Sequence, residues 1–223
     1  MNVYYLSSMS PRPRTVSDEQ IILATQRVMS QLGPIKLTLA AVAKEAGLSA
    51  ATLVQRFGSK RGLLLAMATS AAESMDACFE MVRAAHPSPL AALVAAATDI
   101  TRYFETPEEV ANHLSFLQMD LSDPDFHRLM VISSKKTLEG YRRLLRDAVD
   151  AGELVECDTQ RLARAINAIC GGSLIQWAVF KQGTAVAWVR EDVDTVLAPY
   201  RAHSPRSAWR SRRPARKATR RTR

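Results

Sequence analysis

A chain of 223 residues, 47% hydrophobic, is long enough to bury the core of one large or two small domains, and nine Gly and ten Pro among many Ala and Leu make it mostly helical. The formal net charge of +8 hides a division: residues 1–63 carry eight basic and three acidic residues, 64–200 twelve and nineteen, and 201–223 ten and none. A basic head, an acidic body and a very basic tail follow one another. Cys78, Cys157 and Cys170, odd in number and far apart, exclude a disulfide framework and a zinc site, so they are expected reduced and partly buried, with no metal and no cofactor. No apolar run approaches the roughly 18–20 residues that span a bilayer, and the N-terminus lacks a secretory signal's charged and apolar regions, so a cytoplasmic protein without membrane contact is expected.

In chain order, residues 1–16 contain SPRPR and no helical period, which reads as a flexible arm; Met9 is an alternative start to Met1. Ser17 is placed to N-cap a first helix, with Asp18 and Glu19 in its positive first turn and a stripe of Ile21, Thr25, Val28, Met29 and Leu32. Gly33-Pro34 ends it. A second helix from about Thr38 carries Leu39, Val42, Ala43 and Ala46 on one side and stops at Gly47, where a positive φ suits glycine. Ser49 then caps a short helix, Ala50 to Phe57, with Leu53 and Phe57 inward and Leu48 packing from the turn. Two helices around a tight Gly-containing turn, the second with a small uncharged N-terminal end, form a helix-turn-helix whose second helix can enter a DNA major groove. Periodicity alone describes any helical hairpin equally well; the basic balance of residues 1–63 is what points to phosphates.

Ser59 to about Ala85 reads as one long helix, a lever with one end in the head and the other in the body. The His86-Pro87-Ser88-Pro89 segment breaks it. Further helices are predicted over Leu90 to Phe104, Pro107 to about Leu121, Asp123-Pro124 to Asp150, Thr159 to Gln182 after an Asp158 cap, and Ala185 to about Arg201. With no strand-like alternation, the fold class is all-α: an arm (1–16), a three-helix helix-turn-helix domain (17–63), a helical body (64–201) and a disordered basic tail (202–223).

The order of the first helix followed by TLAAVAKEAGLSAATLVQRFGSKRGLL resembles the DNA-binding head of the TetR family of transcriptional repressors over about residues 17–65. That resemblance implies phosphate contacts from Thr38, Ser49, Thr52 and Lys60, base-edge positions for Ala50 and Ala51, and flanking positions for Gln55 and Arg56. Val54 stands where the family usually has a phosphate-holding tyrosine, and Arg56 where histidine or tyrosine is common. Alanines can offer only methyl contacts, so Gln55 is the candidate for a base hydrogen bond. The resemblance further implies a homodimer paired through the last two helices, a double-stranded DNA operator, and a small-molecule inducer. Those two helices carry much apolar surface (Ile166, Ile169, Leu174, Trp177, Val186, Trp188, Val189, Val193), and Gly171-Gly172 allows either close helix approach or room for a ligand. Candidate ligand contacts are Met75, Phe79, Phe104, His113, Phe116, Leu117, Met119, Asn167 and Trp177, a set equally readable as core.

The tail is either solubilising or binds phosphates without regard to sequence. No enzyme is expected, because G-x-S-x-G, a phosphate-binding Gly-rich loop and H-E-x-x-H are all missing and the four histidines lie singly. The expected function is a ligand-responsive repressor on a palindromic operator; the alternative is an architectural DNA-binding protein without an inducer.

Overall fold

A computed structural model of the chain describes residues 16–202, so the readings of the first 15 residues as an arm and of 203–223 as a tail lie outside the described residues. Among the described residues the helices are α1 (Asp18–Lys36), α2 (Leu39–Ala46), α3 (Ala50–Phe57), α4 (Lys60–Ala85), α5 (Pro89–Thr98), α6 (Pro107–Ser122), α7 (Pro124–Asp150), α8 (Thr159–Phe180) and α9 (Ala185–Leu197). Each starts on a side-chain cap: Ser17, Thr38, Ser49, Ser59, Ser88, Thr106, Asp123, Asp158 and Thr184. A cap satisfies an otherwise orphaned N–H and contributes about 1 kcal/mol, so local chemistry alone places these starts.

Several helix ends differ from expectation, each for a local reason. α5 stops at Thr98 and continues as a 3-10 turn, Asp99–Tyr103. There the Thr98 hydroxyl donates to Val94 O and the Thr101 hydroxyl to Thr98 O, side-chain bonds that compete with the regular ladder. α8 ends at Phe180 because Lys181 turns left-handed at φ 55°, and α9 ends at Leu197 before a 3-10 turn holding Pro199. α1 is interrupted at Gly33, whose φ of 71° is non-helical, and one more turn follows to Lys36. Leu32, expected on the buried stripe, is exposed just before this break.

Two hydrophobic clusters organise the chain. The first joins Ile21, Ala24, Val28 and Met29 of α1 to Val42 and Ala43 of α2, Leu53 of α3, Leu63, Leu64 and Met67 of α4, and Phe126 of α7. The second gathers Phe79, Leu93, Tyr141, Leu145, Ile166, Cys170, Trp177, Val189, Val193 and Leu197 from α4, α5, α7, α8 and α9. α4, about 39 Å long at 1.5 Å per residue, contributes its first turns to one cluster and Phe79 to the other. α7 packs along α4, and α6 lies along α1.

Candidate nucleic-acid interface and regulatory body

The turn between α2 and α3 is built as the sequence requires. Gly47 takes φ 69° and ψ 33°, the Leu48 N–H donates to Ala43 O at 2.8 Å, and the Thr52 N–H donates to Ser49 Oγ at 3.1 Å. Leu53 is fully buried, which turns Ala50, Ala51, Val54 and Gln55 outward, all exposed. The Gln55 amide makes no hydrogen bond to another described residue, so both its donor and acceptor are open to a base edge.

Thr38 and Ser49 use their oxygens as cap acceptors; Ser49 and Thr52 share a hydroxyl–hydroxyl bond of 2.9 Å. An accepting hydroxyl can still donate its proton to a phosphate, so capping and backbone contact are compatible. Lys60 Nζ donates to Ile35 O at 3.2 Å, leaving two of its three ammonium donors. Arg56 is placed differently from its expected flanking role: Nη1 donates to Val16 O at 2.7 Å and Nη2 pairs with Asp18 at 2.8 Å. Its guanidinium is turned back onto the start of α1, where it braces α3.

The head is tied to the body at two places that sequence reading missed. Phe126, from the first turn of α7, is 0% exposed inside the head cluster, edge-on to Phe116 at 5.9 Å. Arg61, in the first turn of α4, lies 5.6 Å over that ring and donates to Asp123 and Asp125, each at 2.9 Å. This guanidinium holds the Asp123 carboxyl below the usual carboxylate range. The second tie is Asn112 of α6, whose Nδ2 donates to Ser30 O at 2.7 Å and Gln31 O at 3.0 Å. A Cβ on Gly33 would stand 2.6 Å from Asn112 Oδ1, so the glycine is needed both for its φ and for this approach. Nothing local distinguishes Phe126 or Arg61 as a tie, since they meet each other, and Arg61 meets Asp123 and Asp125, across more than 60 residues of chain.

The candidate ligand residues separate into four groups. Phe79, Phe104 and Trp177 are buried, with Met75 packed against the same cluster. Phe79 stands edge-on to Tyr141 at 5.3 Å and fills the space a Cβ on Gly140 would take, 2.5 Å from the ring. Trp177 Nε1 donates to Gly183 O at 3.3 Å. Phe116 and Met119 instead pack against the head cluster, and Asn167 is exposed on the outer side of α8 beside Arg164 and Ala168.

That leaves His113 and Leu117, one turn apart on α6. They share a stripe with buried Val110 and half-buried Asp120, distinct from the head-facing side (Asn112, Phe116, Met119) and from the solvent side (Leu114, Gln118, Leu121). The His113 ring lies 5.2 Å from that of Phe104, and nearby protein lowers its pKa by desolvation even though the residue is exposed at the surface. In the body core, burial pushes the thiol of Cys170, beside Tyr141, up to about 11, so it stays protonated.

On α8 and α9 the inner faces are joined by Ser173 Oγ donating to Asp192 at 2.6 Å and by the stacked Phe180 and Trp188 rings at 5.7 Å. Their outer faces expose Ile175, Val179 (67%) and Val186, and Gly171 and Gly172 have open space where a Cβ would point. Among the described residues no helix is long and apolar enough to cross a membrane, and no cluster of three or more His, Cys, Asp or Glu forms a metal site.

Comparison with known proteins agrees with this geometry. Residues 21–67 match the model of bacterial regulatory proteins of the tetR family, and residues 89–198 that of the BetI-type transcriptional repressor C-terminal domain. The HTH-type transcriptional regulator BetI of Agrobacterium fabrum is 33% identical over 119 residues, 52% of this chain and 57% of the relative, so the chain spans little more than half of that protein's length. BetI of Rhizobium meliloti is 29% identical over 167 residues, 72% of this chain and 77% of the relative. A transcriptional regulator from Saccharomonospora viridis solved in complex with choline superposes with a TM-score of 0.69 at 17% identity, covering 86% of this chain and 100% of the other. A TetR transcription regulator from Haloarcula marismortui gives 0.66 at 16% identity, covering 82% and 97%. With one family model on the helix-turn-helix, a second on the helical body and the same architecture in solved relatives, this chain belongs to the TetR family of bacterial transcriptional regulators.

Proposed function

We propose that the protein is a homodimeric, ligand-responsive repressor whose two α3 helices read the half-sites of a palindromic operator. The observation that carries this reading is the outward face of α3: small, uncharged, free of acids, with the Gln55 amide unengaged, on a head of net positive charge. Thr38, Ser49, Thr52 and Lys60 surround it as phosphate donors, with Ala50 and Ala51 against base edges.

The second copy pairs through the outer faces of α8 and α9, where exposed Ile175, Val179 and Val186 flank the open Gly171-Gly172 surface. Half-site spacing of about 34 Å follows from one helical turn of DNA. A ligand bound against α6 favours a dimer with a different spacing, provided its affinity differs between the two states. Asn112 and Phe126 are the ties that carry the change to the head. Among the candidate contacts, His113 and Leu117 have the accessible position such a ligand needs, with Met75, Phe79, Phe104 and Trp177 behind them; Asn167 is not retained. Choline, bound by the Saccharomonospora viridis relative, is a first compound to test.

The experiment is selection of bound fragments from the source genome followed by footprinting. A discrete palindromic footprint is expected, and uniform coverage would instead favour an architectural protein. On the selected site, Gln55→Ala should cost about 1–3 kcal/mol of discrimination between operators, whereas Lys60→Ala should weaken all sequences alike. Unchanged affinity in Lys60→Ala at physiological salt would remove the start of α4 from the DNA backbone.

A further inference from the structure

Arg56 holds a fixed point on the chain. Its Nη1 donates to Val16 O at 2.7 Å and its Nη2 pairs with Asp18 at 2.8 Å, while the Val16 side chain packs against the head cluster. Ser17 is pinned by the capping box, its N–H donating to Gln20 Oε1 at 2.9 Å and its Oγ accepting from the Gln20 N–H at 3.3 Å. The chain at 16–18 is therefore seated beside α3, one arginine side chain from the residue that follows Gln55. The pairing also neutralises Asp18, a carboxylate that would otherwise repel phosphates at this edge. Residues 1–15, which precede this point, hold Arg12 and Arg14 and no acid, in the order Ser10-Pro11-Arg12-Pro13-Arg14-Thr15. Among Ala50, Ala51, Val54 and Gln55, the exposed face of α3, only Gln55 can hydrogen-bond a base edge, so a second reading element has a use.

We propose that Arg12 and Arg14 enter the minor groove flanking each half-site, with Arg56 as the positioning residue that aims them there. The proposal rests on the operator reading above and adds to it a preference for A·T pairs beside the α3 site. With α3 in the major groove, the neighbouring minor groove lies about half a helical turn away, roughly 17 Å. A chain spans up to about 3.4 Å per residue, so Arg14 and Arg12 lie within about 7 and 14 Å of Val16, and their side chains extend that reach. The minor groove is too narrow for a helix but admits arginine side chains. There A·T pairs present only acceptors and concentrate negative potential, whereas guanine adds an N2 amino donor. Proline at 11 and 13 brings no N–H that would need a partner in the groove.

The test uses the full chain on the selected operator, with the base pairs flanking each half-site set to A·T, G·C or inosine·cytosine. Inosine lacks the N2 amino group, so its pair keeps the minor-groove pattern of A·T while presenting the major-groove pattern of G·C. The parent should bind the A·T and inosine flanks alike and the G·C flanks about tenfold more weakly. Arg12→Ala/Arg14→Ala should lose that preference and melt with the parent, which separates lost reading from lost fold. Arg56→Ala should reduce the preference while Gln55-dependent discrimination within the half-site persists, a split that general loosening of the head would not give. Inosine flanks that weaken binding as G·C does, a preference that survives in the double variant, or one unchanged in Arg56→Ala overturns the proposal. Equal binding of the parent to all three flanks also overturns it, and an affinity loss in the double variant would then place the arginines on phosphates. A palindromic footprint with indifferent flanks leaves the operator reading standing, whereas uniform coverage removes that reading and the proposal with it.

Discussion

The head closes its core with α1, α2, α3 and the start of α4, yet its largest fully buried side chain, Phe126, belongs to α7. The body's cluster takes no residue from the first three helices. Of the two, the DNA-reading part is the dependent one: α2 and α3 have only eight residues each, and removing Phe126 would leave a cavity in the core they share with α1 and α4. α6 shows the same asymmetry on a smaller scale. Its head-facing side is firmly seated by Asn112, Phe116 and Met119, whereas its inward stripe has only Val110 fully buried. A helix packed firmly on one side and loosely on the other can move with whatever fills the loose side, and it then displaces what it is seated on.

The largest expected effect comes from breaking the dependence directly. Phe126→Ala opens a cavity in the head core and should cost about 3–5 kcal/mol, read by urea or thermal unfolding, with DNA binding falling in parallel. A loss confined to the body, leaving DNA binding intact, would contradict a head that needs α7. Gly140→Ala attacks the body instead: the new methyl would meet the Phe79 ring at 2.5 Å, and displacing it from Tyr141 should cost about 1–3 kcal/mol without weakening DNA binding by the folded fraction.

Asp120→Asn should act in the opposite direction. The folded-state pKa of about 6 lies above the ordinary 3.8, so the folded state holds an extra proton between these values, and stability declines as pH rises from about 4 to 6. Asn escapes this decline. After discounting for the solvent-exposed part of the side chain, the variant should be more stable than the parent by about 1 kcal/mol at pH 7, the two converging near pH 4. Parallel pH profiles would mean that Asp120 is compensated by a partner. The smallest effect is expected from Arg61→Ala. Its ion pairs are exposed, so stability should barely move, while the communication between α7 and α4, read as ligand-induced DNA release, should become less sensitive to salt.

The helices were legible because their starts are local. Ser17, Ser49 and Asp158 cap through atoms three residues away, and Gly47 needs only its own φ, so no distant partner enters the decision. Helix ends were less legible: Thr98, Lys181 and Pro199 each stopped a periodic pattern that continued beyond them. Within the candidate interface, the exposure of Gln55 follows from the burial of Leu53 two residues earlier, on the opposite side of the helix, whereas the diversion of Arg56 onto Asp18 and Val16 depends on how α1 crosses α3. In the body, a stripe of Val110, His113, Leu117 and Asp120 is visible as helical spacing, but spacing does not say whether a stripe is packed or open. Phe116, three residues from His113, faces another core altogether.

By itself, then, the chain's order of residues determined the all-α architecture, the helix-turn-helix and the division of charge, since each depends on neighbours within a few turns. Only the tertiary structure decided that α7 completes the head, that Asn112 fills the space beside Gly33, and that Asp120 stands uncompensated. Those outcomes depend on which side chains from distant helices arrive at one place, and pairwise distance across the fold is a quantity that periodicity does not contain.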